Sequence, residues 1–185
     1  MDRRPGQFRS GRQAALEAIS RVSDKLLLTG MSQKRAAGRG ASDTTASLRV
    51  LPCACANLRR ASRAVSQLYD EQLRAVGLTI AQFTLLQAIS LTGTPTQTRL
   101  GQILVLDSTT LSRTLRLLER KGWIRRRSGA DRRERQIELT GAGRSLFQAA
   151  IPYWNRAQKL LSTRLGPRRW KAVMQELLTI AQRLR

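Results

Sequence analysis

Between Arg99 and Arg135 the chain carries 11 basic and 4 acidic residues, and short hydroxyl side chains are interleaved with that charge. Ser108, Thr109, Thr110 and Ser112 stand beside Arg113 and Arg116, and Arg125, Arg126, Arg127, Arg132, Arg133 and Arg135 follow. Guanidinium groups donate to phosphate oxygens and to guanine edges, and hydroxyls donate to either. The chemistry on offer is recognition of a polyanion. A solvated charged face accounts for any single Arg, but clustering on this scale points to a nucleic-acid partner.

Bond-making chemistry lacks its usual parts. The chain has no His, and its only two Cys are Cys53 and Cys55. Zinc sites, imidazole acid/base catalysis and nucleophilic triads are therefore not expected, nor is any cofactor or metal. An enzyme using Cys55 as nucleophile would need a base beside the thiol. Aromatic residues make up only 4% of the chain, too few for a platform that stacks successive single-stranded bases. With 34 Lys+Arg against 12 Asp+Glu the net charge is +22, which double-stranded DNA balances best.

These residues need a scaffold, and 185 residues with 41% hydrophobic content allow one ordinary domain plus an extension. Residues 1–50 are Arg, Gly, Ser and Ala-rich, with 10 basic and 4 acidic residues, and read as a basic, disordered extension. Leu16, Ile19 and Leu26 leave room within it for a short amphipathic helix over about residues 12–28. Residues 51–185 read as the folded domain. No apolar run reaches the length of a membrane span, and a cytoplasmic location is expected.

From Pro52 the spacing of Leu58, Ala61, Val65, Leu68, Gln72 and Val76 predicts a first helix closed by Gly77. Thr79 caps a second helix through Ile80, Phe83, Leu86 and Ile89, followed by a turn over residues 91–95. Thr96 caps a third, with Leu100, Ile103 and Leu104, and Asp107 caps a fourth over residues 108–121 that stops at Gly122. The pattern then becomes extended over residues 123–127 and 135–139, with a turn from Ser128 to Asp131. Thr140 caps a long fifth helix over residues 141–165, in which Pro152 predicts a kink or a break. Beyond Gly166 and Pro167, a sixth helix repeats Trp170, Val173, Leu177, Ile180 and Leu184 at steps of three and four, a seam suited to helix pairing.

The expected fold is therefore mainly α with a small β-hairpin wing, a winged helix-turn-helix with a helical dimerisation region. Its DNA-binding lobe spans about residues 79–140, and its dimerisation helices about 53–76 and 141–185. In this arrangement the fourth helix enters the major groove through Ser108, Thr109, Thr110, Ser112 and Arg113 while Leu111, Leu115 and Leu118 face inward. Arg116 is placed for phosphate contact. The hairpin arginines suit the narrow, electronegative minor groove.

At this level of detail the chain resembles the MarR family. The segment Asp131-Arg132-Arg133-Glu134-Arg135-Gln136-Ile137-Glu138-Leu139-Thr140-Gly141-Ala142-Gly143 is similar to the family's wing. Leu106-Asp107-Ser108-Thr109-Thr110-Leu111-Ser112-Arg113 and Leu117-Leu118-Glu119-Arg120-Lys121-Gly122-Trp123-Ile124 resemble its recognition helix and following strand. Val105 stands where the family often has a turn glycine. The resemblance implies a homodimer whose first, fifth and sixth helices interlock over a pseudo-palindromic operator. It also implies repression relieved by a small molecule or by oxidation, and an Asp131 that orients Arg133 by a salt bridge into the minor groove.

The run from Cys55 to Tyr69 resembles the organic-hydroperoxide-sensing branch, which implies that Cys55 is the oxidised residue. Tyr69 matches one of that branch's tyrosines, while Arg59 and Ile80 occupy the places of two others. Cys55 also lies near a helix N-terminus with Arg59 one turn on, where cysteines become reactive. Oxidation to a sulfenic acid, or a disulfide to another subunit, would strain a dimer. Cys53 and Cys55, one residue apart, do not easily bridge each other, and both also suit a small buried place in a dimer interface. An effector pocket between the dimerisation helices and the DNA-binding lobe, lined by Tyr69, Phe83 and Gln87, follows from the resemblance alone. The competing function is an architectural nucleic-acid binder of the same fold without an effector.

Overall fold

A computed structural model describes residues 53–128 and 135–184. The expectations for residues 1–50 and for Pro52 lie outside the described residues. Helix α1 (Ala54–Leu73) passes into a 3-10 turn, Arg74–Val76, and ends at Gly77 in the left-handed region at φ 68°. Its apolar stripe is covered only toward its C-terminal end. Leu68, Tyr69 and Leu73 are buried, Val65 is half-buried, and Ala61 and Leu58 are exposed. The expected inward stripe from Leu58 is thus half open, because nothing among the described residues covers its first turns.

Helix α2 (Ile80–Thr92) starts at a reciprocal cap. The Thr79 hydroxyl accepts from Gln82 N at 3.3 Å, and Thr79 N donates to Gln82 Oε1 at 3.2 Å. Asp70 Oδ1 accepts from Ile80 N at 2.6 Å, fastening the end of α1 to the start of α2. Phe83, Leu85, Leu86, Ala88 and Ile89 are all buried, as befits a helix apolar on most sides. Phe83 packs between Phe147 and Trp154, with ring centroids 5.3 and 5.8 Å apart. These rings join the two halves of the molecule in one core.

Helix α3 (Gln97–Leu104) begins where Thr96 Oγ1 accepts from Arg99 N at 3.2 Å. Helix α4 (Ser108–Arg120) begins where Asp107 Oδ1 accepts from Thr110 N at 2.9 Å, and it stops before Gly122 at φ 71°. Strands β1 (Ile124–Ser128) and β2 (Arg135–Leu139) pair antiparallel, from Ile124 opposite Leu139 to Ser128 opposite Arg135. One pairing was not legible beforehand. Thr96 bridges Gln136, and Ile137 N donates to the Pro95 carbonyl at 2.9 Å, so the end of the 91–95 turn lies along the hairpin edge.

Helix α5 (Gly141–Leu165) follows a cap that also closes the hairpin. Thr140 Oγ1 accepts from Gly143 N at 3.0 Å and donates to the Gly122 carbonyl at 2.6 Å. Of the kink or break expected at Pro152, the break does not occur, and the helix continues through it. Proline removes one ladder bond, but the buried neighbours Ile151 and Trp154 hold both sides of the gap in the core. Helix α6 (Pro167–Arg183) starts with Pro167 in its first turn, where a missing N–H costs nothing. Among the described residues no single helix is long and apolar enough to cross a membrane.

Candidate nucleic-acid interface

Helix α4 is two-sided. Leu111, Leu115 and Leu118 are buried, while Ser108, Thr109, Thr110, Arg113 and Arg116 are exposed. Three inward leucines at helical spacing fix the rotation of the helix, so the hydroxyls and guanidiniums are held outward by packing rather than by chance. Ser112 is the exception. It is half-buried, and its hydroxyl accepts from Gln97 Nε2 at 2.7 Å, which puts it in the seam between α3 and α4. Thr114 Oγ1 donates back to the Thr110 carbonyl at 3.0 Å. At the helix start, the Thr110 backbone N–H and then its hydroxyl hold the Asp107 carboxyl below its ordinary value of 3.8.

The turn between the two helices is apolar and strained. Val105 has φ 52°, the only non-glycine residue with positive φ among the described residues, and is 63% exposed. A β-branched side chain is poorly suited to that region. An open cleft of about 640 Å³ lies beside the turn, lined by residues that include Gln97, Gly101, Gln102, Val105, Leu106 and Ser108.

The hairpin arginines divide into groups. Arg125 pairs with Glu138, directly across the hairpin, and Arg127 Nη1 lies 3.6 Å from the same carboxylate. Arg126 Nε donates to Glu119 Oε2 at 3.2 Å, tying β1 to α4. Three arginines read from the sequence as groove-facing are therefore also engaged with the protein's own carboxylates. Glu119 and Glu138 were missed, although the cross-strand register implies the second of them. Lys121 Nζ sits 4.5 Å from the centroid of the Trp123 ring. Arg135 is exposed at the tip end of β2. Asp131, Arg132 and Arg133 lie outside the described residues.

The other candidates fall on or near α1. Cys53 stands at the N-cap position of that helix without a side-chain capping bond, Cys55 is in its first turn, and both are exposed in the chain. Tyr69 is buried, and its hydroxyl donates to Gln158 Oε1 on α5. Burial pushes that phenol up to about 12. Phe83 is fully enclosed in the core. Its ring packs against those of Phe147 and Trp154. Gln87 is half-buried. Among the described residues no group of three or more His, Cys, Asp or Glu side chains converges as a metal site.

Helix α6 leaves an apolar face uncovered. Trp170 is buried, but Val173, Met174, Leu177, Leu178 and Ile180 remain between 37% and 59% exposed, and Leu58 of α1 is 41% exposed. Arg60 Nη1 on α1 and Asn155 Oδ1 on α5 are buried with no hydrogen-bond partner among the described residues.

Comparison with known proteins places this geometry. The sequence model of the MarR family matches residues 76–134. The M. tuberculosis transcriptional regulator MosR, solved in complex with DNA, is 38% identical, with a TM-score of 0.65 over 71% of this chain and 96% of that one. The uncharacterized HTH-type transcriptional regulator YwoH of Bacillus subtilis (strain 168) is 32% identical over 83 residues, 45% of this chain, and the match spans 61% of that relative's length. A mutant of MarR from E. coli, complexed with operator DNA, shares the fold at 23% identity, with a TM-score of 0.62 over 66% of this chain and 89% of that one.

Proposed function

This chain belongs to the MarR family of winged helix-turn-helix transcription regulators, and from that premise we propose that it binds a pseudo-palindromic operator as a homodimer and represses from it. The carrying observation is α4, whose buried Leu111, Leu115 and Leu118 turn Ser108, Thr109, Thr110, Arg113 and Arg116 to solvent. Those side chains match what the major groove asks for. The complex of MosR with DNA, at 38% identity, supports carrying duplex binding over to this chain.

The dimer is supported by the uncovered face of α6 and by the open first half of α1, which a second copy can bury. The orphaned polar atoms of Arg60 and Asn155 lie on α1 and α5, helices of the same half. In the proposal, Asp131 holds Arg133 for the minor groove beside α4, with Arg132 and Arg135 on the flanking phosphates. Release follows from a small molecule or from oxidation of Cys55, which stands in the first turn of α1.

Selection from a library of genomic duplex fragments, with and without an organic hydroperoxide, tests this reading. Enrichment of one palindrome, lost on oxidation in the wild type but kept in Cys55→Ser, is the expected result. No enriched site, with affinity collapsing uniformly in salt, would instead support the architectural binder that the net charge of +22 makes the runner-up.

A further inference from the structure

The charge excess is not confined to the reading head. Between Glu138 and Glu176 the chain has seven basic residues and no acidic one. Six of them, Arg156, Lys159, Arg164, Arg168, Arg169 and Lys171, are exposed on the far part of α5 and the start of α6.

Helical geometry sorts four of them from the apolar surfaces. On α5, Trp154 and Ala157 are buried, while Arg156, Lys159 and Thr163 follow at steps of three and four on the opposite side. On α6, Trp170, Met174 and Leu177 form the apolar stripe, and Arg168, Lys171 and Gln175 repeat on the side away from it. A second copy that covers the apolar stripe leaves this basic stripe in solvent.

Distance separates it from the operator. From Gly143, which packs against Trp123 at the base of the hairpin, the axis of α5 advances roughly 20 Å to Arg156 and roughly 30 Å to Arg164. Charges that far away are screened at physiological ionic strength, where the Debye length is about 8 Å. They therefore add little to the hold on a duplex seated against α4. Nor do Arg168 and Arg169 serve the fold, because the first turn of α6 has no acidic residue and places them at the positive end of its own dipole.

We propose that Arg156, Lys159, Arg168 and Lys171 form a second DNA-binding surface that takes double-stranded DNA of any sequence through its phosphates. A protein seated at its operator then bridges to another duplex segment, held nearby at high effective concentration. A duplex is favoured over single strands because the chain is only 4% aromatic. The proposal rests on the reading of α4 as the operator-binding helix, and its test separates the two.

Operator duplex is fixed to beads and saturated with the full-length protein, and a labelled non-operator duplex is then offered at low and at physiological salt. The wild type should capture the second duplex, with capture falling steeply as salt rises. The variant Arg156→Gln/Lys159→Gln/Arg168→Gln/Lys171→Gln should lose capture at least tenfold while keeping its operator affinity. Arg113→Ala/Arg116→Ala should do the converse, losing operator preference but still holding the non-operator duplex. If the quadruple variant fails to fold, the two double variants, Arg156→Gln/Lys159→Gln and Arg168→Gln/Lys171→Gln, should each lose part of the capture. No capture by the wild type, or equal capture by the charge-neutralised variants, overturns the second surface. Operator selection kept by Arg113→Ala/Arg116→Ala, with capture intact, overturns only the reading of α4.

Discussion

Gly143 packs closely against the base of the hairpin. A Cβ there would stand 1.9 Å from the Trp123 carbonyl oxygen, so Gly143→Ala must push α5 off the hairpin base. It is expected to destabilise the fold by about 1–3 kcal/mol or more, read as a lower thermal midpoint. Val105 offers the reverse change. At φ 52° it is strained, and Val105→Gly should raise stability by about 1 kcal/mol in denaturant unfolding. Its departure from a turn glycine was legible as a residue type, whereas the strain needed the backbone. Tyr69 supplies a pH test. Its folded value of about 12 exceeds the ordinary 10.0, so its contribution is complete below pH 10 and is lost as pH rises from there toward 12. Tyr69→Phe should remove that alkaline loss. It should also cost about 1–3 kcal/mol near neutrality by stranding Gln158 Oε1.

At the scale of elements, caps were legible because they are local. Thr79, Thr96, Asp107 and Thr140 each accept from a backbone N–H three residues on, and a reader of sequence sees both partners in one window. The hairpin ion pairs were not, since Arg125 meets Glu138 only once the strand register is known, and Arg126 meets Glu119 only through the packing of β1 on α4. The same limit explains Phe83, whose apolar character suits a pocket wall as well as a core and whose neighbours lie far along the chain. Pro152 reads locally as a kink or a break, and the break is averted where Ile151 and Trp154 are buried. For α4 the cap has a pH signature. The Asp107 carboxyl is held below 3.8, so its contribution is complete above that ordinary value and fades as pH falls through the lowered one. Asp107→Asn, which keeps an acceptor without a charge, should flatten the acid side of a plot of stability against pH. An unchanged acid limb would show that the carboxylate does not hold the start of α4.

For the whole molecule, the apolar periodicity of α6 was visible as a stripe, but whether it packs within the chain or against a second copy was not. The structure leaves that stripe uncovered, and pairing with a second copy is the proposal that accounts for it. Leu177→Arg should yield a monomer in sedimentation and weaken operator binding by orders of magnitude, because one reading head loses the other's half-site. A dimer that persists in this variant would move the interface elsewhere. The central proposal is that two copies of α4 sit in successive major grooves of one operator. Its most direct test is methylation interference at guanine N7, a major-groove atom, on a selected operator duplex. Two clusters of interfering guanines about 10 base pairs apart, weakened by Arg113→Ala, are expected. Interference spread evenly along the duplex, or none in the major groove, would contradict it.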